Sequence, residues 1–174
     1  VQSRYLEAEA HGLVVGCLYL PNGNPAPGPK FDYKLRWFEA LKDYLAAELQ
    51  RYPRLAVAGD FNVAPEDRDV HDPKAWEGQV LCSAPERAAF QALIKLGLQD
   101  SFRLFEQPAK SFSWWDYRML GFQKNRGLRI DHILVSSALR ASVSACTIDR
   151  APRKNPQPSD HTPVVASLDF GALG

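Results

Sequence analysis

The feature that most constrains this chain is a change of period along its first sixty residues. Residues 13–20, Leu-Val-Val-Gly-Cys-Leu-Tyr-Leu, are an almost unbroken apolar run of strand length. Residues 21–29 then alternate Pro, Asn and Gly, a composition that breaks regular structure. From residue 31 to about 51 the period becomes helical. Leu35, Phe38, Leu41, Leu45 and Leu49 recur with charged residues between them, and Pro53 stops the pattern. Residues 55–59 are a short apolar strand, buried on both faces, and Asp60 stands at its C-terminal end.

The remainder repeats these themes. Residues 3–10 alternate loosely before His11-Gly12, which predicts a hairpin with 13–20. Residues 63–85 carry turn residues and few apolar ones and read as an extended surface loop. A second helix opens at Pro85 and closes at Gly97. Residues 101–129 are irregular and aromatic, and 130–135, 143–148 and 164–168 are strand candidates. Residues 150–159 form a basic, Pro-rich loop. Strands and helices mix without repeats, so the fold class is α/β (α+β), with helices covering sheet.

The 174 residues allow one domain with a substantial core, and 45% hydrophobic against 24% charged residues exclude a disordered chain. A net charge of +1 does not announce a nucleic-acid binder, so any basic surface must be local. No apolar run could cross a bilayer, and no membrane association is expected. The three cysteines, Cys17, Cys82 and Cys146, are widely spaced and suggest neither a disulfide framework nor a metal motif, which favours the cytoplasm. The chain opens on Val1 rather than Met, and no secretory leader is expected. Its first residues already read as strand and turn, the pattern expected inside a longer gene product.

Chemistry concentrates at strand ends. In Gly59-Asp60-Phe61-Asn62 an apolar strand delivers a carboxylate and, two residues on, an amide. On an extended chain both would face one side. The same residues also read as a turn with Asx side chains bonding nearby backbone. Ser159-Asp160-His161 sets an acid beside an imidazole, which on extended chain diverge; a plain polar loop is the other reading. Asp131 lies within an apolar strand and needs a partner: His161 for catalysis, or an arginine such as Arg129 for structure. His132 suits packing better than chemistry. In residues 111–126 aromatic rings interleave with cations, as suits nucleic acid, although tryptophans are also common in cores. Trp115 is the better candidate for a DNA contact. Carboxylates, amide and imidazole, without a reactive Ser or Cys motif, point to metal-assisted hydrolysis of a phosphate ester.

Five segments in order carry a resemblance to the endonuclease/exonuclease/phosphatase superfamily, in its exonuclease III branch. They are 18–23 (Leu-Tyr-Leu-Pro-Asn-Gly), 59–62 (Gly-Asp-Phe-Asn), 112–118 (Phe-Ser-Trp-Trp-Asp-Tyr-Arg), 125–131 (Asn-Arg-Gly-Leu-Arg-Ile-Asp) and 158–164 (Pro-Ser-Asp-His-Thr-Pro-Val). The resemblance implies the C-terminal part of a four-layer αββα two-sheet sandwich of the deoxyribonuclease I-like type. It implies catalytic roles for Tyr19, Asp60, Asn62, Asp131 and His161. A Mg²⁺ or Mn²⁺ ion would lie at Asp60, Asn62, Asp160 and His161. DNA contacts would come from Trp115, Tyr117, Arg118, Lys124, Asn125, Arg126 and His161. The implied activity is 3′→5′ exodeoxyribonuclease and abasic-site endonuclease in base excision repair. The partner would be double-stranded DNA with abasic sites or 3′ ends, and the complete protein a cytoplasmic monomer, nucleoid-associated when on DNA.

One departure bears on the metal. Relatives of this type begin with a Thr-x-Asn strand and a later Gln-Glu strand whose Glu is a principal metal ligand. Neither motif occurs here, so residues 1–174 are expected to be a single but truncated domain. Two other readings stay open: a sister enzyme acting on lipid or inositol phosphates, and a DNA-binding fragment without activity.

Overall fold

The structure is a computed structural model that describes residues 3–173. Strands β1 (Tyr5–Ala10) and β2 (Leu13–Tyr19) form the expected hairpin around His11-Gly12. Helix α1 (Pro29–Arg51) carries the chain back to β3 (Leu55–Asp60), which pairs parallel to β2. Residues 63–83 hold a 3₁₀ turn (Asp67–Asp69) and the short α2 (Pro73–Trp76), and then α3 (Ala84–Ile94) and β4 (Leu98–Asp100) follow. The two-residue strands β5 (Trp114–Trp115) and β6 (Gly127–Leu128) pair with each other. Strand β7 (Asp131–Ser136), α4 (Ser137–Arg140), β8 (Val143–Ile148) and β9 (Val164–Leu168) complete the regular elements up to a last 3₁₀ turn.

The main sheet runs β1-β2-β3-β7-β4, and β8 and β9 form a separate two-stranded sheet. Alternation along the strands separates two faces. Val14 and Leu18 of β2, Leu55 and Val57 of β3 and Leu134 of β7 bury against Phe38, Leu41 and Leu45 of α1 and Phe90 and Leu93 of α3. On the opposite face Ala56 and Val135 pack with Leu139, Val143 and Leu168, so the β8–β9 sheet lies over the β3–β7 side. Farther toward the hairpin edge this face is open, and Leu6 and Val15 are 75% and 42% exposed. The layers are therefore helix, sheet and a partial second sheet.

Residues 63–85 differ from the surface loop that their composition suggests. Ala64, Val70, Leu81 and Cys82 bury with Leu128 and Ile130 in a second apolar cluster. Few apolar residues suffice there because neighbouring segments supply the rest of the cluster.

Beneath the sheet ends lies a buried polar network whose extent the sequence did not announce. The Arg129 guanidinium, 1% exposed, bonds Asp69 at 2.7 Å and Asp100 at 2.8 Å, and Arg103 also reaches Asp69. Arg129 Nη1 donates to His132 Nδ1 at 3.1 Å, and His132 Nε2 donates to the Val63 carbonyl at 2.9 Å. His132 is thus a packing residue held as neutral imidazole. Burial, with the adjacent Arg129 charge, pushes its pKa down to about 4. The unfolded chain, titrating near 6.5, takes the proton first, so this contribution to stability is complete above pH 6.5 and lost as pH falls toward 4. The loss should reach roughly 3 kcal/mol. Urea midpoints of the native protein should drop between pH 7 and 4.5 more steeply than those of His132→Gln; equal slopes would remove His132 as the cause.

Candidate active site

Register brings the first three residues together. Across the sheet Tyr19 of β2 lies opposite Asp60 of β3, and Asp60 lies opposite Asp131 of β7. All three belong to the face away from α1, where β2 and β3 end and β7 begins. Gly59 makes the row possible. Its φ is +141°, and a Cβ there would come within 2.0 Å of the Leu18 carbonyl oxygen on β2.

Asp60 and Asn62 meet through a turn rather than along an extended strand. Asn62 is left-handed, with φ 49°. Its backbone N–H donates to Asp60 Oδ1 at 2.8 Å and its Nδ2 to Asp60 Oδ2 at 2.9 Å. Nδ2 also donates to the Leu20 carbonyl at 2.9 Å. The Asx-turn reading and the site reading of Gly-Asp-Phe-Asn therefore describe one object. Asn22 enters as well, its Nδ2 donating to Asn62 Oδ1 at 3.0 Å. Asn22 had only its place in the 18–23 segment to mark it, inside a loop full of turn residues.

His161 arrives from the second sheet, just before β9. Its Nδ1 lies 2.9 and 3.1 Å from the two Asp131 oxygens, and its Nε2 is 3.9 Å from Asp60 Oδ2. Burial alone would depress the imidazole pKa. The hydrogen bond and charge of Asp131, with Asp60 and Asp160, outweigh burial and raise it above 6.5. Asp60 is held back from ionising. Burial first, then repulsion by Asp131, raise its pKa to about 7 against the pull of His161, the Asn62 N–H and Lys34. Arg129, the other partner open to Asp131, is occupied by Asp69 and Asp100. The cluster thus holds a carboxyl poised near neutrality beside an imidazole with cationic bias.

The aromatic segment corrects one expectation. Trp115 is fully buried, with its Nε1 donating to Asn125 Oδ1 at 3.1 Å and its ring edge-on to Phe122. It cannot face DNA. Asn125 is likewise committed, its Nδ2 donating to the Lys110 carbonyl. Trp114 is the ring at the site: it is half-buried, and its Nε1 donates to Asp160 Oδ2 at 2.9 Å. Adjacent residues on an extended strand face opposite sides, and sequence alone could not say which tryptophan faced in. Tyr117, Arg118, Lys124 and Arg126 are exposed. Within the basic loop Arg153 is buried: it stacks over Tyr117 and Phe122 and donates to the Ser159 carbonyl. Tyr117 Oη donates to the Pro158 carbonyl and Trp115 N–H to that of Asp160. Aromatic segment and basic loop together hold the strand entrance that carries Asp160 and His161.

The carboxylates of Asp60 and Asp160 are hard oxygen donors of the kind Mg²⁺ or Mn²⁺ takes. Among the described residues, however, no group of three or more His, Cys, Asp and Glu is arranged to hold an ion. The expected set of Asp60, Asn62, Asp160 and His161 is not assembled as a cage. The Asn62 amide is spent on Leu20, Asp60 and Asn22, and His161 Nδ1 faces Asp131. These residues fit part of a coordination shell.

Known proteins resemble this chain over most of its length. The chain is 40% identical to exodeoxyribonuclease III of Haemophilus influenzae, over 94% of this chain and 64% of that protein. The structure of the 3′ phosphatase NExo from Neisseria bound to product DNA hairpin superposes with a TM-score of 0.94 at 42% identity, covering 97% of this chain and 65% of that one. An AP endonuclease from Archaeoglobus fulgidus gives 0.89 at 34% identity, over 95% and 65%. The chain thus spans less than two thirds of the length of each. The family model described as Endonuclease/Exonuclease/phosphatase matches residues 3–161, and the chain belongs to that family.

Proposed function

We propose that the protein is a divalent-metal-dependent DNA phosphodiesterase, a 3′→5′ exodeoxyribonuclease and abasic-site endonuclease of base excision repair. The carrying observation is the row Tyr19, Asp60 and Asp131, with His161 joined to Asp131 from the second sheet. Relatives named as an exodeoxyribonuclease and an AP endonuclease, and one structure bound to product DNA hairpin, support it. The exposed Tyr117, Arg118, Lys124 and Arg126 suit phosphate contacts beside the cluster. On this reading the protein works as a cytoplasmic monomer on nucleoid DNA.

The scissile phosphate then lies over the row. Tyr19, 56% exposed, donates its phenol to one phosphoryl oxygen, and His161 Nε2 faces another. Asp60, held by the Asn62 N–H and amide, takes the proton of the attacking water. Asn62 orients Asp60 through its two hydrogen bonds. Nucleases of this family generally use divalent metal ions. Mg²⁺ or Mn²⁺ held by Asp60 and Asp160 oxygens would supply neutralisation of the phosphate and of the leaving oxygen.

A duplex with a central abasic site and one with a recessed 3′ hydroxyl test the reading, each with Mg²⁺ and with a chelator. Incision at the abasic site or release of mononucleotides is expected, dependent on Mg²⁺. Asp60→Ala and His161→Ala should lower either rate by about a hundredfold or more. A protein that binds these duplexes but never cuts them is a binding module, and one that cleaves phosphoinositides alone is the sister enzyme. Removal of a 3′-terminal phosphate is a second reading, favoured by the likeness to the Neisseria 3′ phosphatase. A 3′-phosphorylated primer separates it from the first.

A further inference from the structure

Lys34 and Glu86 form an ion pair in which both side chains are completely buried. Neither was marked by any motif: Lys34 sits in the charged part of the helical pattern and Glu86 in the first turn of α3. Their placement has a definite geometry. Ser83 and Glu86 make a capping box at the start of α3, with Glu86 Oε2 accepting from the Ser83 N–H and hydroxyl. Glu86 Oε1 accepts from the Leu81 N–H at 2.9 Å and from Lys34. The carboxylate is fixed before the lysine reaches it.

Lys34 Nζ has three N–H bonds to give. One goes to Glu86, one to the Asn22 carbonyl at 3.0 Å and one to the Asn62 carbonyl at 2.6 Å. Its stem lies where a Cβ on Gly23 would fall, 2.8 Å from Lys34 Cδ, so the Asn22-Gly23 turn is laid directly on the side chain. The two loops bearing the amides of the site, one after β2 and one after β3, are thereby tied to one ammonium group.

We propose that Lys34, held by Glu86, is a positioning residue for the active site: it sets Asn22 and Asn62, and through Asn62 the carboxylate of Asp60. The inference rests on the proposed nuclease reading for its effect on rate, but not for its effect on geometry. A buried ion pair costs desolvation that an apolar pair of similar volume avoids, so packing alone gives no reason for charge here. The three-way anchor does.

The test is Lys34→Met combined with Glu86→Leu, which fills the volume and leaves no unpaired charge. The native protein and this variant are compared on the abasic duplex with Mg²⁺, and by amide resonances of Asn22 and Asn62 without substrate. Expected are a kcat about ten- to a hundredfold lower, a KM within about twofold, and displaced side-chain NH₂ resonances for both asparagines. Unmoved resonances with native kcat overturn the proposal. If the double variant does not fold, Lys34→Gln, whose amide has two N–H donors for three acceptors, replaces it, and native kcat with unmoved resonances there overturns the proposal equally. The resonances need no turnover. A native protein that does not cut DNA therefore sinks the nuclease reading, while the positioning role is still decided by the spectra.

Discussion

Changing Asp131 to asparagine is expected to lower turnover on an abasic duplex by about 10²–10⁴-fold without unfolding the protein. Asp131 Oδ1 and Oδ2 lie 3.1 and 2.9 Å from His161 Nδ1. A carboxylate accepts the Nδ1–H hydrogen bond there and holds the ring with Nε2 turned toward Asp60. An asparagine can turn its NH₂ toward Nδ1 and favour the wrong tautomer. It also removes the charge that raises the imidazole pKa above 6.5. Two measurements check this: kcat for the variant, and the His161 titration by NMR, which should shift to lower pH. Activity within about twofold of native, with an unmoved His161 titration, would show that the pair is structural.

The largest effect on stability is expected at Arg129→Met. The guanidinium is 1% exposed and faces Asp69 and Asp100, themselves 0% and 10% exposed. Removing it strands the Asp100 carboxylate and leaves Asp69 to Arg103 alone, which costs about 3–5 kcal/mol. For a chain of this size each kcal/mol lowers Tm by about 2–4 °C, so a drop on the order of 10 °C is expected. Scanning calorimetry reads it directly. Adding Asp100→Asn to Arg129→Met should recover part of the loss, because the stranded charge is gone. A variant melting within about 2 °C of native would mean that the network contributes little.

The elements were legible where one period dominated. Phe38, Leu41 and Leu45 announced α1, and the apolar runs announced β2 and β3, because each buries a continuous face. Asp60, Asp131 and His161 were legible as chemistry because polar groups at the ends of apolar strands need partners. Their convergence was not, since it depends on register: Asp60 opposite Asp131 is a matter of strand pairing between residues far apart in sequence. Trp114 and Trp115 could not be told apart for the same reason. Neighbours on a strand point to opposite faces, and nothing local says which face is the inside. Residues 63–85 misled because Ala64, Val70 and Leu81 are buried by other segments as much as by one another. Lys34 and Arg153 look like surface cations in any sequence, and only the fold shows that they are enclosed.

The turn that ends β3 also bears on descent. An alanine at Gly59 would meet the Leu18 carbonyl, and a β-branched residue at position 62 would strain a left-handed backbone. Both constraints act on the chain's path and neither on its chemistry. A descendant that lost catalysis would be free to change Asp60 while still keeping Gly59 and a residue at position 62 that tolerates a left-handed backbone. In such a descendant the glycine would record inheritance of the fold, and Asp60, Asp131 and His161 would record whether the reaction was kept.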